Sequence, residues 1–163
     1  MNSVPVFVGL DYHSKSVQVC VMDVSGRLLA NRRCENSVAD VAGVVGAVGT
    51  PTRVAIEACC GAADLAEELA TRAGWCVSMA HPGYVNRMKH NPDKTDFSDA
   101  RMLADLCRVG MIPEVWLAPA PVRELRVLVR YRFDQVRRRA NVKMRMLAVL
   151  RDAYSRPTES PVH

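Results

Sequence analysis

The chain has no apolar run near the roughly 20 residues that span a bilayer. Its first residues show no basic stretch followed by an apolar core and a cleavage site. With neither signal present, the expectation is a soluble, cytoplasmic protein. The six cysteines (Cys20, Cys34, Cys59, Cys60, Cys76 and Cys107) contain no C-x-x-C pair, and their spacing to His81 or His90 does not suit zinc. Four of them sit in apolar runs, so reduced core thiols are expected. A phosphate-binding loop is also missing. Gly43, Gly46 and Gly49 recur every three residues, but no G-K-[ST] follows, and the spacing better suits a helix packed closely on a sheet.

What is present is a chain of 163 residues, enough for one domain with a true core and an appendage. The net charge of +5 is unevenly spread. Residues 1–122 carry 11 Lys/Arg against 13 Asp/Glu, whereas residues 123–163 carry 11 against 4. A slightly acidic body with a strongly basic tail suggests an anionic polymer as partner, a solvated charged helix being the plainer alternative.

The stretch 4–11, VPVFVGLD, is apolar nearly throughout, as in a buried central strand, and 16–23, SVQVCVMD, alternates more clearly. A Ser25-Gly26 turn leads into a third strand, giving an antiparallel meander over 4–34. A weak helix over 37–49 with Ser37 as cap, a β-rich run over 52–60, a helix over 62–74 closed by Gly74 and a fifth strand within 75–82 follow. The pattern implies an α/β fold: a mixed five-stranded sheet with helices on its faces. From Pro121 to about Tyr154 the chain reads as one long or broken helix. Its apolar stripe of Leu125, Val129, Phe133, Val136, Ala140, Met144, Leu147 and Tyr154 calls for a partner helix, either a second copy or a downstream part of the chain, and a homo-oligomer through the 121–154 helix, by Val129, Val136 and Leu147, is the expectation. Arg130, Arg132, Arg137, Arg138, Arg139, Lys143 and Arg145 fill the other faces and suit phosphate contacts, as does Lys94.

The acids are more specific. Asp96 and Asp99 open a helix in DKTDFSDARMLADLCRVG, and alone the pair reads as capping, with Asp96 accepting from the first amides and Asp99 meeting the positive helix end. Asp11 ends the first strand and Glu57 lies near the end of the fourth. If those strands are neighbours, both carboxylates leave the same sheet edge, and the 96–99 pair joins them if its helix crosses that edge. Four such carboxylates repel unless divalent cations neutralise them, and hard oxygen donors suit Mg²⁺ or Mn²⁺. His13 can neighbour such an ion or contact phosphate, although a lone histidine after a strand is commonly a loop residue. Tyr84, Trp75 and Trp116 could stack on bases, with core packing the simpler role for the tryptophans.

The order GLDYH, AIEACCG, HPGYVNRMK, KTDFSDARMLADL, then RRRANVKMRMLAVL, resembles the amino-terminal RuvC-like domain of the DEDD transposases of bacterial insertion sequences, relatives of the Piv-type DNA invertases. The resemblance implies an RNase H-like fold over 1–118, a basic helical segment over 119–156 and a tail over 157–163. It places the catalytic, metal-binding acids at Asp11, Glu57, Asp96 and Asp99, with Asp96 and Asp99 both capping and binding metal. It further implies cutting and rejoining of DNA with Mg²⁺ or Mn²⁺, nucleoid association when DNA-bound, and, for some members, a structured guide RNA. Cys59, Cys60, Gly61 and Ala62 stand where the family has glycine or small residues and an aromatic. Nothing matches the family's serine-bearing carboxyl-terminal domain, so the isolated chain is expected not to recombine DNA. The alternative is a non-catalytic nucleic-acid-binding and dimerising module. A sugar-kinase-like ATPase is disfavoured because no glycine-rich phosphate loop follows Asp11.

Overall fold

Branched aliphatic residues at alternate positions of the first two strands point to one side of a sheet, and this periodicity organises the computed structural model, which describes residues 4–88 and 95–155. β1 (Pro5–Tyr12), β2 (Ser16–Met22) and β3 (Leu28–Glu35) form the expected antiparallel meander, with Gly26 at φ 85° in the second turn. α1 (Val38–Gly46) follows, capped by Ser37, whose hydroxyl accepts from the Asp40 amide at 3.1 Å. β4 (Thr50–Glu57), α2 (Ala62–Arg72) and β5 (Val77–Ala80) continue the alternation. Then come α3 (Pro82–Met88), α4 (Asp96–Arg108), β6 (Glu114–Val115) and α5 (Ala120–Ser155).

The strands run in the order β3-β2-β1-β4-β5-β6, with β4 and β5 parallel to β1 and the rest antiparallel to their neighbours. This mixed sheet with helices on both faces is the RNase H-like arrangement. It has six strands rather than the expected five. The addition, β6, is two residues long and is held by side chains rather than by an apolar pattern. Arg53 donates to Ser78 Oγ at 3.1 Å and pairs with Glu114, which also accepts from Ser78 at 2.9 Å.

One face of the sheet carries Val6, Val8, Leu10, Val17, Val19, Val21, Val54 and Ile56, all fully buried beneath α1 and α2. The other carries Cys20, Met22 and Ala55 against Val85 of α3 and Ala100, Leu103, Ala104 and Cys107 of α4. Covered on both sides, β2 is buried from Val17 to Met22, including Gln18. Gly9 sets the approach of α4: a Cβ there would overlap the Ala100 carbonyl oxygen and the Ala104 nitrogen. Such contact of helix and strand backbones requires glycine.

Two sequence expectations need correction. Gly43 and Gly46 face open space, so they do not mark close packing of α1; only Gly49, against Val4 and Val6, lies at such a contact. Of the cysteines, Cys20 and Cys107 are buried, but Cys59, Cys60 and Cys76 are exposed, because two lie in the turn after β4 and the third precedes β5. Burial pushes the Cys20 thiol up to about 12 and the Cys107 thiol to about 11.

Residue contacts divide the chain between Leu117 and Ala118. The second unit is essentially α5, one unbroken helix of 36 residues with no buried side chain, about 54 Å long at the usual rise. No described helix is long and apolar enough to cross a membrane. Trp75 packs against the core, whereas Trp116 and Tyr84 are exposed.

Candidate functional site

Parallel pairing of β1 with β4, in the register Leu10 opposite Ile56, brings Asp11 and Glu57 to adjacent positions at one sheet edge. Both follow residues of the α1/α2 face, so the strand alternation turns them toward α4. The following turn is fixed by Gly61 at φ 89°, where a Cβ would overlap the Tyr12 hydroxyl. Across the Gly9 contact, α4 begins at the same edge.

Asp96 is not the cap of α4. Thr95 is: its side chain accepts from the Ser98 amide at 3.1 Å, while the Ser98 hydroxyl accepts from the Thr95 amide at 3.2 Å, a reciprocal capping box. Sequence reading missed the T-x-x-S signal because the acid pair overlaps it. Relieved of capping, Asp96 and Asp99 occupy the first turn, where the helix end favours anions. The turn is also tied to the sheet. Gln18, opposite Asp11 on β2, donates to Asn31 Oδ1 at 2.6 Å, and Asn31 donates to the Phe97 carbonyl at 3.0 Å.

The acids meet around Asp11. Burial raises its carboxyl above the ordinary value; His13 opposes the rise, while Asp96, Asp99 and Glu57 add to it. The other three acids of the motif therefore all act on Asp11. Asp99 is 8% exposed, and Asp11 and Glu57 are half-buried. His13, in the loop between β1 and β2, lies beside the acids. Its Nε2, shielded from solvent, lies 3.3 Å from Asp11 Oδ2 and 3.2 Å from Asp96 Oδ2. These are ion-pair distances without hydrogen-bond geometry, so the nitrogen is held among carboxylates without a hydrogen-bond partner. One ligand atom each from Asp11, His13 and Asp96 lie within 4.8 Å of one another, close enough to share a cation. The acids are not bare of positive charge either: Arg33 Nη1 is 3.8 Å from Asp96 Oδ2. Cys59, in the atypical turn after Glu57, lies within the field of Glu57 and Asp11.

The basic candidates of α5 belong to the second unit. Arg130, Arg132, Arg137, Arg138, Arg139, Lys143 and Arg145 are exposed along α5, with Arg138 paired to Asp134 at 2.8 Å. Lys94 lies outside the described residues.

A mixed sheet of this order, with carboxylates gathered on β1, β4 and the start of the crossing helix, is the RNase H-like arrangement expected from the sequence. The chain matches the DEDD transposase family of IS110 elements, described as Transposase, over residues 8–155, and it belongs to that family. It is 28% identical to the mini-circle transposase assigned to IS117 of Streptomyces coelicolor over 94% of this chain, and spans 39% of that relative's length. Among solved structures it is similar to T. thermophilus RuvC in complex with Holliday junction substrate, with 18% identity, a TM-score of 0.48, and coverage of 68% of this chain and 99% of that one.

Proposed function

We propose that this chain forms the divalent-metal-dependent catalytic domain of a DNA transposase, with Asp11, Glu57, Asp96 and Asp99 as the acids that serve strand cleavage and transfer. The carrying observation is geometric: the β1–β4 register sets Asp11 beside Glu57, and ligand atoms of Asp11, His13 and Asp96 lie within 4.8 Å of one another at the start of α4. The donor set fits a cation: carboxylate oxygens suit Mg²⁺ or Mn²⁺, and the His13 nitrogen, lacking a hydrogen-bond partner, favours Mn²⁺ of the two. A bound divalent cation supplies Lewis-acid polarisation of a phosphodiester and neutralises the charge developing on it. The protein's part is positional. The β1–β4 register holds Asp11 and Glu57, the Gly9 contact holds the first turn of α4, and the Gln18–Asn31 link restrains that turn against β2 and β3.

In this reading α5 is the DNA-holding and self-associating element, and the protein works in the cytoplasm at the nucleoid. Its arginines engage about five phosphates without reading bases, giving a log–log salt slope of roughly −4 to −5 on duplex DNA. RNA helices present the same phosphates, so binding is compared with duplex RNA and with nuclease-treated protein.

Calorimetric titration with Mn²⁺ and Mg²⁺ tests the site. Both ions are expected to bind and raise the melting temperature, Mn²⁺ more tightly, with His13→Ala narrowing the difference. Binding that survives Asp11→Asn combined with Asp99→Asn would sink the assignment. Failure of either ion to bind the unsubstituted chain would favour a non-catalytic nucleic-acid-binding module instead.

A further inference from the structure

An anionic strand approaching four carboxylates and one imidazole needs positive charge beside the acids as well as between them. β3 is the outermost strand on its side of the sheet and carries Arg33 on the same face as Asn31, whose amide reaches α4. The Arg33 Nε donates to Ser16 Oγ at 2.8 Å, which fixes the base of the guanidinium. Its Nη1 points at Asp96 from 3.8 Å, too far for a hydrogen bond, and the side chain is 62% exposed. An exposed pair at that distance contributes little stability. The arrangement is therefore poor as a salt bridge but well suited to a planar, anchored cation awaiting a bidentate anion.

We propose that Arg33 is a DNA-backbone ligand that grips a phosphate flanking the one presented to the acid group, with Asp96 as its resting partner. The proposal rests on the DNA-cleaving reading above and adds a binding residue to it. It also predicts coupling: once the Asp96 charge is committed to a divalent cation, its pull on Arg33 weakens and the guanidinium is released to the strand. DNA binding should depend on Arg33 more strongly with divalent cation than without.

The test measures affinity of the 163-residue chain for a short labelled duplex across a salt series, with Ca²⁺ and with chelator, for the unsubstituted protein, Arg33→Gln and Arg33→Lys. Ca²⁺ serves as a cation that supports binding without turnover. In Ca²⁺, Arg33→Gln is expected to make the salt slope shallower by about 0.9, so that the affinity lost between about 50 and 200 mM salt shrinks by a factor of about 3 to 4. Arg33→Lys should restore the slope, because charge is kept, but not the full affinity, because the Nε anchor to Ser16 and the bidentate fork are lost. With chelator the difference between Arg33→Gln and the unsubstituted chain should shrink. An unchanged melting temperature guards against misfolding, which is not expected at so exposed a position. Equal slopes and affinities for Arg33→Gln and the unsubstituted chain, with DNA still bound, would overturn this proposal and leave the reading above intact. No DNA binding by the unsubstituted chain would overturn both.

Discussion

Asp11 is pulled in two directions, and the balance has a measurable sign. Burial and three neighbouring carboxyls raise its pKa above 3.8, outweighing the attraction of His13. The folded chain thus holds the Asp11 proton more tightly than the unfolded chain does. With the folded value raised, stability associated with the protonated form is fully present below the unfolded value and is lost as pH rises through the folded one. Near neutral pH the metal-free protein therefore carries an unfavourable Asp11 charge. Asp11→Asn is expected to raise its melting temperature there and to make little difference in strong acid. Excess Mn²⁺ should reverse the order, since only the unsubstituted site gains a ligand that binds the folded state. Thermal unfolding across pH, with chelator and with Mn²⁺, checks this. A lower melting temperature for the metal-free Asn variant near neutrality would mean that the attraction of His13 wins.

At the scale of elements, the site depends on how closely α4 approaches β1. Gly9→Ala places a methyl group into helix backbone, which cannot move as a side chain can. The expected cost is about 3 kcal/mol or more, at the upper end of overpacking effects, with weaker Mn²⁺ binding if the variant folds, because the first turn of α4 must shift. Denaturant unfolding and calorimetry read both, and a variant as stable as the parent would contradict the close contact. The strands were legible in the sequence because apolar runs bounded by turns and acids mark them, whereas the Asp11/Glu57 juxtaposition depended on β1 and β4 being neighbours, which no local pattern conveys. The cap of α4 was less legible: Thr95 and Ser98 are weaker signals than two aspartates beside them. α3 was hidden because HPGYVNRM is short and buries only Val85. β6 was hidden because a polar cluster of Arg53, Ser78 and Glu114 holds it. The role of His13 depends on Asp96, 83 positions away, meeting it in space, which no local pattern conveys.

Across the whole molecule, the opposing charges of the chain have a structural counterpart, with the acids gathered in the first unit and arginines spread along α5. α5 also exposes a seam that a lone helix has no reason to keep. Phe133, Ala140, Leu147 and Tyr154 recur seven apart, as do Val129, Val136, Lys143 and Leu150, and the two series alternate at steps of four and three. That is the spacing by which two helices supercoil, and Lys143 then lies in the seam as a polar position that sets register rather than as one more phosphate contact. Each large apolar side chain covered in such a pairing contributes on the order of 1.5–3 kcal/mol before the entropic cost of association. The expected outcome is a dimer at high micromolar concentration in analytical ultracentrifugation. Val129→Glu with Val136→Glu should give a monomer, and Lys143→Leu should tighten association while loosening its choice of register. Helicity by circular dichroism should persist at high protein concentration in the unsubstituted chain and fall on dilution. A protein that sediments as a monomer at every concentration would refute the pairing and leave the arginine faces of α5 as its sole function.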